Sequence, residues 1–291
     1  MNNILEVQNI NKSYKDFSLK NVSFELKEGY IMGFIGPNGA GKTTVIKLIM
    51  NLIKKDSGSI KVFGKDHIKN EKEIKDRIGF VYDDNCYYEE FKLYEIKRII
   101  APFYSKWNDD LFNKYIRQFE LPLDKKLKKL SKGMKMKFSI AMALSHDPDL
   151  IIMDEPTAGL DPVFRAELLE LLLELMQNEN KSIFFSSHIT SDLDKIADYI
   201  TFIYDGEILF SRTKDEISES YGIVKGANEL LNEEIKKSFI HCTQSPYGFE
   251  ALTMDIPKIR QEFGDSVIIE RPSLQDIMVH MHMARRQAGN E

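Results

Sequence analysis

Gly36-Pro37-Asn38-Gly39-Ala40-Gly41-Lys42-Thr43-Thr44 is the stretch from which the rest of the chain can be read. It follows an apolar run, residues 30–35, with the character of a buried strand. It opens a helical pattern in which Val45, Ile46, Leu48 and Ile49 are the apolar positions. A glycine-rich loop between strand and helix, closed by Lys-Thr, is the context of a phosphate-binding loop. A nucleoside triphosphate carries several negative charges and needs many donors at short range. Glycines let successive N–H groups turn inward around the phosphates, and the helix start adds its free amides and dipole. On this reading Gly36, Pro37, Asn38, Gly39, Ala40, Gly41, Lys42, Thr43 and Thr44 cradle the nucleotide. Lys42 reaches the β/γ-phosphates and Thr43 ligates Mg²⁺. The loop by itself does not say what the nucleotide is used for.

Composition narrows the possibilities. A chain of 291 residues, 43% hydrophobic, can bury one large core and a smaller one. The formal net charge of -5 argues against nucleic acid as a partner. Cys86 and Cys242 have neither metal-type nor redox spacing, and few cysteines with no apparent signal sequence fit a reducing cytosol. No run of 18 apolar residues occurs, so any bilayer-spanning part belongs to another chain.

Residues 4–10 and 22–26 alternate as half-buried strands do. Short strands are expected at 60–63, 78–82, 150–153 and 183–185. The pair 199–204 and 207–210 flanks Asp205-Gly206, a two-residue hairpin signal. Asp161-Pro162 reads as an N-cap with proline at the first helical position, before a leucine-rich helix. Strands alternating with helices predict an α/β fold with a largely parallel sheet. Residues 84–147 read as a helical, aromatic-rich insertion with a basic segment, 125–129. After Thr213 the pattern resets: helices are expected at 229–239 and 257–263, strands at 240–243, 249–253 and 267–269, and a last helix from Ser273. The expected organisation is an ATPase domain, 1–213, and a small α+β appendage, 214–291.

Asp154-Glu155 closes the 150–153 run. Carboxylates at the carboxyl end of a parallel strand point at the ligand crevice. Asp154 suits the Mg²⁺ shell, and Glu155, facing elsewhere, can act as general base on a water at the γ-phosphate. A solvated strand end before Pro156 is the bland alternative. Leu130-Ser131-Lys132-Gly133-Met134 is the third motif. With it, the first three quarters of the chain resembles the ATP-binding subunits of ABC transporters, whose signature is Leu-Ser-Gly-Gly-Gln. Lys132 and Met134 depart from that pattern, while the serine and second glycine are kept.

The resemblance implies a P-loop ABC-type ATPase domain with a mixed sheet core and helical subdomain. It implies two such domains dimerising head to tail, with Ser131 and Gly133 of one closing over the ATP of the other. Ser131 would cap the helix that follows, aiming its N-terminus at a γ-phosphate. Lys132 either adds a cation near the ATP or points to solvent. His188 resembles the switch histidine that contacts the γ-phosphate, and Asp161 the D-loop aspartate. Tyr14 resembles the aromatic that stacks on adenine. Asp83 stands where the family usually places a glutamine. It either joins the Mg²⁺ surroundings or stands back in an exposed Asp83-Asp84-Asn85 turn. An acidic residue there likens the chain most to bacterial peptide-resistance and phenol-soluble-modulin-type peptide exporter ATPases.

The resemblance further implies ATP and Mg²⁺ as cofactors and a peripheral place on the cytoplasmic face of the membrane. Its implied partners are a transmembrane permease and a second, identical or related, ATPase subunit. The aromatic insertion serves as a small core and as a groove for the permease, with Tyr87, Tyr88 and Phe91 at the partner face. His280 and His282 are expected on an exposed helix face rather than on a metal. The rival function is a soluble ABC-type ATPase in cytosolic assembly. A chromosome-acting member would need long coiled coils for which the interval from Lys42 to Ser131 has no room. A P-loop kinase or GTPase would explain neither the signature nor His188.

Overall fold

Two strands with alternating burial, β1 (Asn3–Ser13) and β2 (Ser18–Lys27), pair antiparallel. One face is packed and the other wet, as such sheets allow. Next, β3 (Ile31–Ile35) is buried at every position and delivers the glycine loop to α1 (Lys42–Ile49). Then β4 (Ser57–Val62) and β5 (Lys65–Asp66) complete the antiparallel sheet in the order β2-β1-β4-β5. Residues 2–83, 87–178 and 180–288 are described by this computed structural model. Asp84 and Asn85 of the expected turn, and Cys86, lie outside them.

Past α2 (Glu71–Asp76) and β6 (Ile78–Val81), the insertion supplies α3 (Leu93–Ile100), α4 (Asp109–Gln118) and α5 (Lys132–Leu144). Its aromatics build a core of their own, with Phe112, Tyr115 and Phe119 buried. Then come β7 (Leu150–Asp154), α6 (Pro162–Leu175), β8 (Ser182–Ser187), α7 (Thr190–Ile196), β9 (Tyr199–Tyr204) and β10 (Glu207–Thr213). The second sheet has the order β10-β9-β3-β8-β7-β6, and β9, β3, β8, β7 and β6 run parallel. Asp205 and Gly206, at φ 46° and 75°, turn the chain from β9 into β10.

Helix α1 is held between the two sheets. Its Val45, Ile46, Leu48 and Ile49 share one core with Leu5, Val22 and Phe24 of the antiparallel sheet and with Phe34, Ile152 and Phe184 of the parallel one. The rings of Phe24, Phe34 and Phe184 lie 5.1 to 5.8 Å apart. Each such fully buried side chain contributes about 1.5–3 kcal/mol, so α1, which carries Lys42 and Thr43, is anchored along its length.

The chain divides into two compact units, residues 1–211 and 212–291. The second contains α8 (Lys214–Ser220), β11 (Gly222–Gly226), α9 (Glu233–Lys236), β12 (His241–Ser245), β13 (Gly248–Thr253), α10 (Ile256–Phe263), β14 (Ile268–Glu270) and α11 (Leu274–Ala288). Its antiparallel sheet is ordered β12-β13-β11-β14. Val224, Phe249, Ala251, Ile259, Phe263 and Val267 form its core. Helix α8 and strand β11 occupy a stretch for which no element was expected. Two expectations are corrected here. The continuous helix over 229–239 is broken, because the Asn232 side chain accepts from Glu234 and Ile235 N–H and starts a separate turn. And His280 is not on an exposed face: it is buried, 5% exposed.

Candidate active site

Parallel register decides which residues meet. Ile35 pairs with Ser187, and Asp154 with Ser186. The residues that leave these strands, Gly36, Glu155 and His188, therefore emerge together at one carboxyl edge, where open parallel sheets bind ligands.

Backbone geometry shapes the loop. A side chain at Gly36 would collide with the Ile203 carbonyl. At Gly41, where φ is 110°, a Cβ would stand 2.7 Å from Leu19 and 2.8 Å from Phe17. No side chain caps α1, so its first amides are left for a ligand. The buried Lys42 ammonium donates to the Gly36 carbonyl at 2.7 Å and the Pro37 carbonyl at 3.2 Å. It also stands 3.1 Å from Glu155 Oε1.

The two carboxylates are held differently. Asp154 is fully buried. Its Oδ1 accepts from Ser186 Oγ at 2.7 Å, and Oδ2 has no hydrogen-bond partner among the described residues. Burial pushes the Asp154 carboxyl above the usual range, against the opposing effect of hydrogen bonds from Ser186 and Thr43. A buried carboxylate oxygen left without a donor, beside a threonine hydroxyl, fits a hard, oxygen-loving dication.

Glu155 sits in the left-handed region at φ 49°. Its N–H donates to the Ser186 carbonyl at 3.2 Å and reaches Ser186 Oγ at 3.1 Å. That conformation costs about 1–3 kcal/mol for a residue with a Cβ. Oε2 then meets His188 Nδ1 at 2.7 Å and the His188 N–H at 3.3 Å. One glutamate is thus tethered by Lys42 on one oxygen and His188 on the other.

A cavity of about 270 Å³ opens here, lined by Phe17, Asn38, Gly39, Gly41, Lys42, Thr43, Thr44, Asp83 and Glu155. Asp83 also borders a second cavity, of about 520 Å³, with Lys132 and Lys135. Tyr14 is outside the first lining, 47% exposed, with the Lys12 ammonium 5.6 Å from its ring. Phe17, which sequence reasoning passed over, occupies the wall; its one signal was a second aromatic in the loop that begins at Tyr14. Ser186 was passed over too, because a serine inside a strand carries no sign of its bond to a carboxylate 32 residues away in sequence.

The remaining sequence-derived residues gather elsewhere. Ser131 caps α5, accepting from the Met134 N–H at 3.2 Å. Asp161 caps α6, accepting from the Phe164 N–H at 3.0 Å. A side chain at Gly133 would face Leu160, and one at Gly159 would face the Lys132 ammonium. Ser131, Lys132 and Asp161 are exposed, and neither they nor Gly133 line the glycine-loop cavity. In the insertion, Tyr88 is 78% exposed and packs edge-on against Phe91, while Tyr87 turns towards buried Phe138.

Residues 19–158 match the ABC transporter family model. The chain is 36% identical over 212 residues to a bacitracin transport ATP-binding protein of Bacillus licheniformis, covering 72% of this chain and 69% of that one. It is 33% identical over 234 residues to a lantibiotic transport ATP-binding protein of Streptococcus pyogenes, covering 80% and 97%. Among solved structures, the ATP-binding subunit of an ABC transporter superposes with a TM-score of 0.68 at 30% identity, over 74% of this chain and 91% of that one. A dimeric ATP-binding cassette bound to ADP and Pi shares the fold, with a TM-score of 0.65 at 24% identity, over 72% and 98%. The glycine loop, the buried Asp154 and the tethered Glu155 thus lie in a chain that belongs to the ABC transporter family of ATP-binding, ATP-hydrolysing subunits.

Proposed function

We propose that this chain powers an ABC exporter of amphipathic or antimicrobial peptides, docked on the cytoplasmic side of a membrane permease. The observation that carries the ATPase chemistry is the tethering of Glu155 between Lys42 and His188 at the mouth of the glycine loop. ATP lies with its phosphates on residues 36–44. Thr43 and Asp154 would hold Mg²⁺, which would supply charge neutralisation at the phosphates, with Asp83 in its surroundings. Glu155 takes a proton from the attacking water, and His188 orients Glu155 and reaches the γ-phosphate. Tyr14 and Phe17 border the base. The peptide cargo is supported by the two relatives named for bacitracin and lantibiotic transport.

Two copies act together, head to tail. The support is spatial: Ser131, Gly133 and Asp161 lie outside the cavity formed by their own copy's loop, so a second copy is needed to bring such an exposed helix start to the phosphates. The face around Tyr88 and Phe91 receives the permease. Glu155→Gln is the test: it should bind ATP, lower turnover at least ~100-fold, the range of a lost general base, and accumulate a dimer by light scattering. Co-expressed with its permease, it should lose the bacitracin or lantibiotic resistance that the wild type confers. Wild-type turnover in this variant removes Glu155 as the base; turnover without any peptide resistance or transport removes the cargo.

A further inference from the structure

The C-terminal unit contains a cavity of about 860 Å³ that the ATPase chemistry does not use. His241 on β12 and His280 on α11 both line it, with Glu250 and Lys225 from the neighbouring strands. The two imidazoles present Nδ1 to Nδ1 at 3.1 Å, with their rings inclined at 64°. Two nitrogens bound to one tetrahedral ion at ordinary zinc–nitrogen distances stand about 3.3 Å apart. The pair therefore already has nearly the bite of a shared ion.

The other side of the His280 ring is also arranged. Glu250 Oε1 stands 3.6 Å from His280 Nε2; Lys225 lies 3.6 Å from Glu250 and bonds Glu270 at 2.7 Å. A carboxylate thus stands on the far side of the His280 ring, the arrangement found behind metal-bound histidines. A plain hydrogen bond between two histidines would account for the distance. It would not account for placing the pair at the wall of an open cavity with a carboxylate behind the buried ring.

We propose that His241 and His280 form a two-imidazole site for a divalent transition metal of the Zn²⁺, Ni²⁺ or Cu²⁺ class. Imidazole is the ligand such ions select. Among the described residues no group of three or more His, Cys, Asp or Glu side chains is placed to hold a metal. The protein therefore gives two ligands and cavity water completes the shell, which makes the site exchangeable, unlike a closed structural zinc site. A bound ion would pin α11 to β12.

The full-length protein, loaded with one equivalent of Cu²⁺, should give an electron paramagnetic resonance spectrum with coupling to two nitrogens. In His241→Ala that coupling should fall to one nitrogen or none, and the Zn²⁺ dissociation constant by calorimetry should rise at least ~10-fold. His241 is only half-buried, so its variant carries the test even if His280→Gln fails to fold. Zn²⁺ binding undiminished in His241→Ala, binding that vanishes instead in His188→Ala, or no stoichiometric binding to the wild type would each overturn the proposal.

Discussion

Ser186→Ala is the substitution that separates a positioning role from a structural one. The Ser186 hydroxyl donates at 2.7 Å to Asp154 Oδ1 inside a fully buried site. A hydrogen bond to a charged group contributes about 1.5–3 kcal/mol, or roughly 10- to 150-fold in an equilibrium constant. Alanine removes that donor from the ionised carboxylate, the form that would bind Mg²⁺ in the proposed site. The Thr43 hydroxyl still favours the ionised Asp154, so the loss belongs at the lower end, about 10-fold. Glu155 is affected less, because its N–H loses Ser186 Oγ but keeps the Ser186 main-chain carbonyl at 3.2 Å.

The expected outcome is specific. The Mg²⁺ concentration for half-maximal ATPase rises about 10-fold, while turnover at saturating Mg²⁺ stays within a few-fold of wild type. ATPase rates measured across a Mg²⁺ series at saturating ATP read both quantities. An unchanged Mg²⁺ requirement would show that Asp154 does not depend on Ser186 for its charge. Turnover that falls while the Mg²⁺ requirement holds would mean that the serine acts on Glu155 instead.

Asp154→Asn should stabilise the metal-free fold and abolish Mg²⁺-dependent hydrolysis. Burial raises the native Asp154 pKa above its unfolded value, so the native state holds more protons in that window. Asp154 therefore takes stability away as pH rises from 3.8 through its native pKa; urea melts should show the variant's gain larger at pH 7 than at pH 4, and a gain independent of pH would refute the assignment. Phe17→Ala should weaken ATP binding about 5-fold or more in equilibrium dialysis, since an aromatic against a base is worth about 1–3 kcal/mol. Unchanged affinity would mean that the nucleotide does not touch that wall.

The site was legible where its signals are local. The glycine loop, the carboxylates ending an apolar run and the Asp161-Pro162 cap each carry their instruction within a few residues. Asp161 does accept from Phe164 N–H, as that dipeptide demands. What stayed hidden depends on partners distant in sequence. Gly222-Ile-Val-Lys-Gly226 is too short and too glycine-bounded to announce a strand, yet it pairs with both β13 and β14. His280 looked exposed in isolation. It stands three residues after Ile277, on the stripe with Leu274 and Met281 that α11 buries, and that spacing was a readable signal. Phe17 gave no pattern, because a wall of a pocket has no period.

The different fates of the adjacent carboxylates follow from a single backbone choice. Had residue 155 kept strand geometry, successive side chains would have pointed to opposite faces, and Glu155 would have left the loop that holds Lys42. Its left-handed φ of 49° bends the chain where β7 ends, and Ser186 on β8 secures the bend by main chain and side chain together. The same serine binds Asp154. Glu155 and Asp154 are thus positioned by one residue of the neighbouring strand. A shift of β8 against β7 would disturb both at once, whereas a change confined to the loop would reach Lys42 and leave the carboxylates in place.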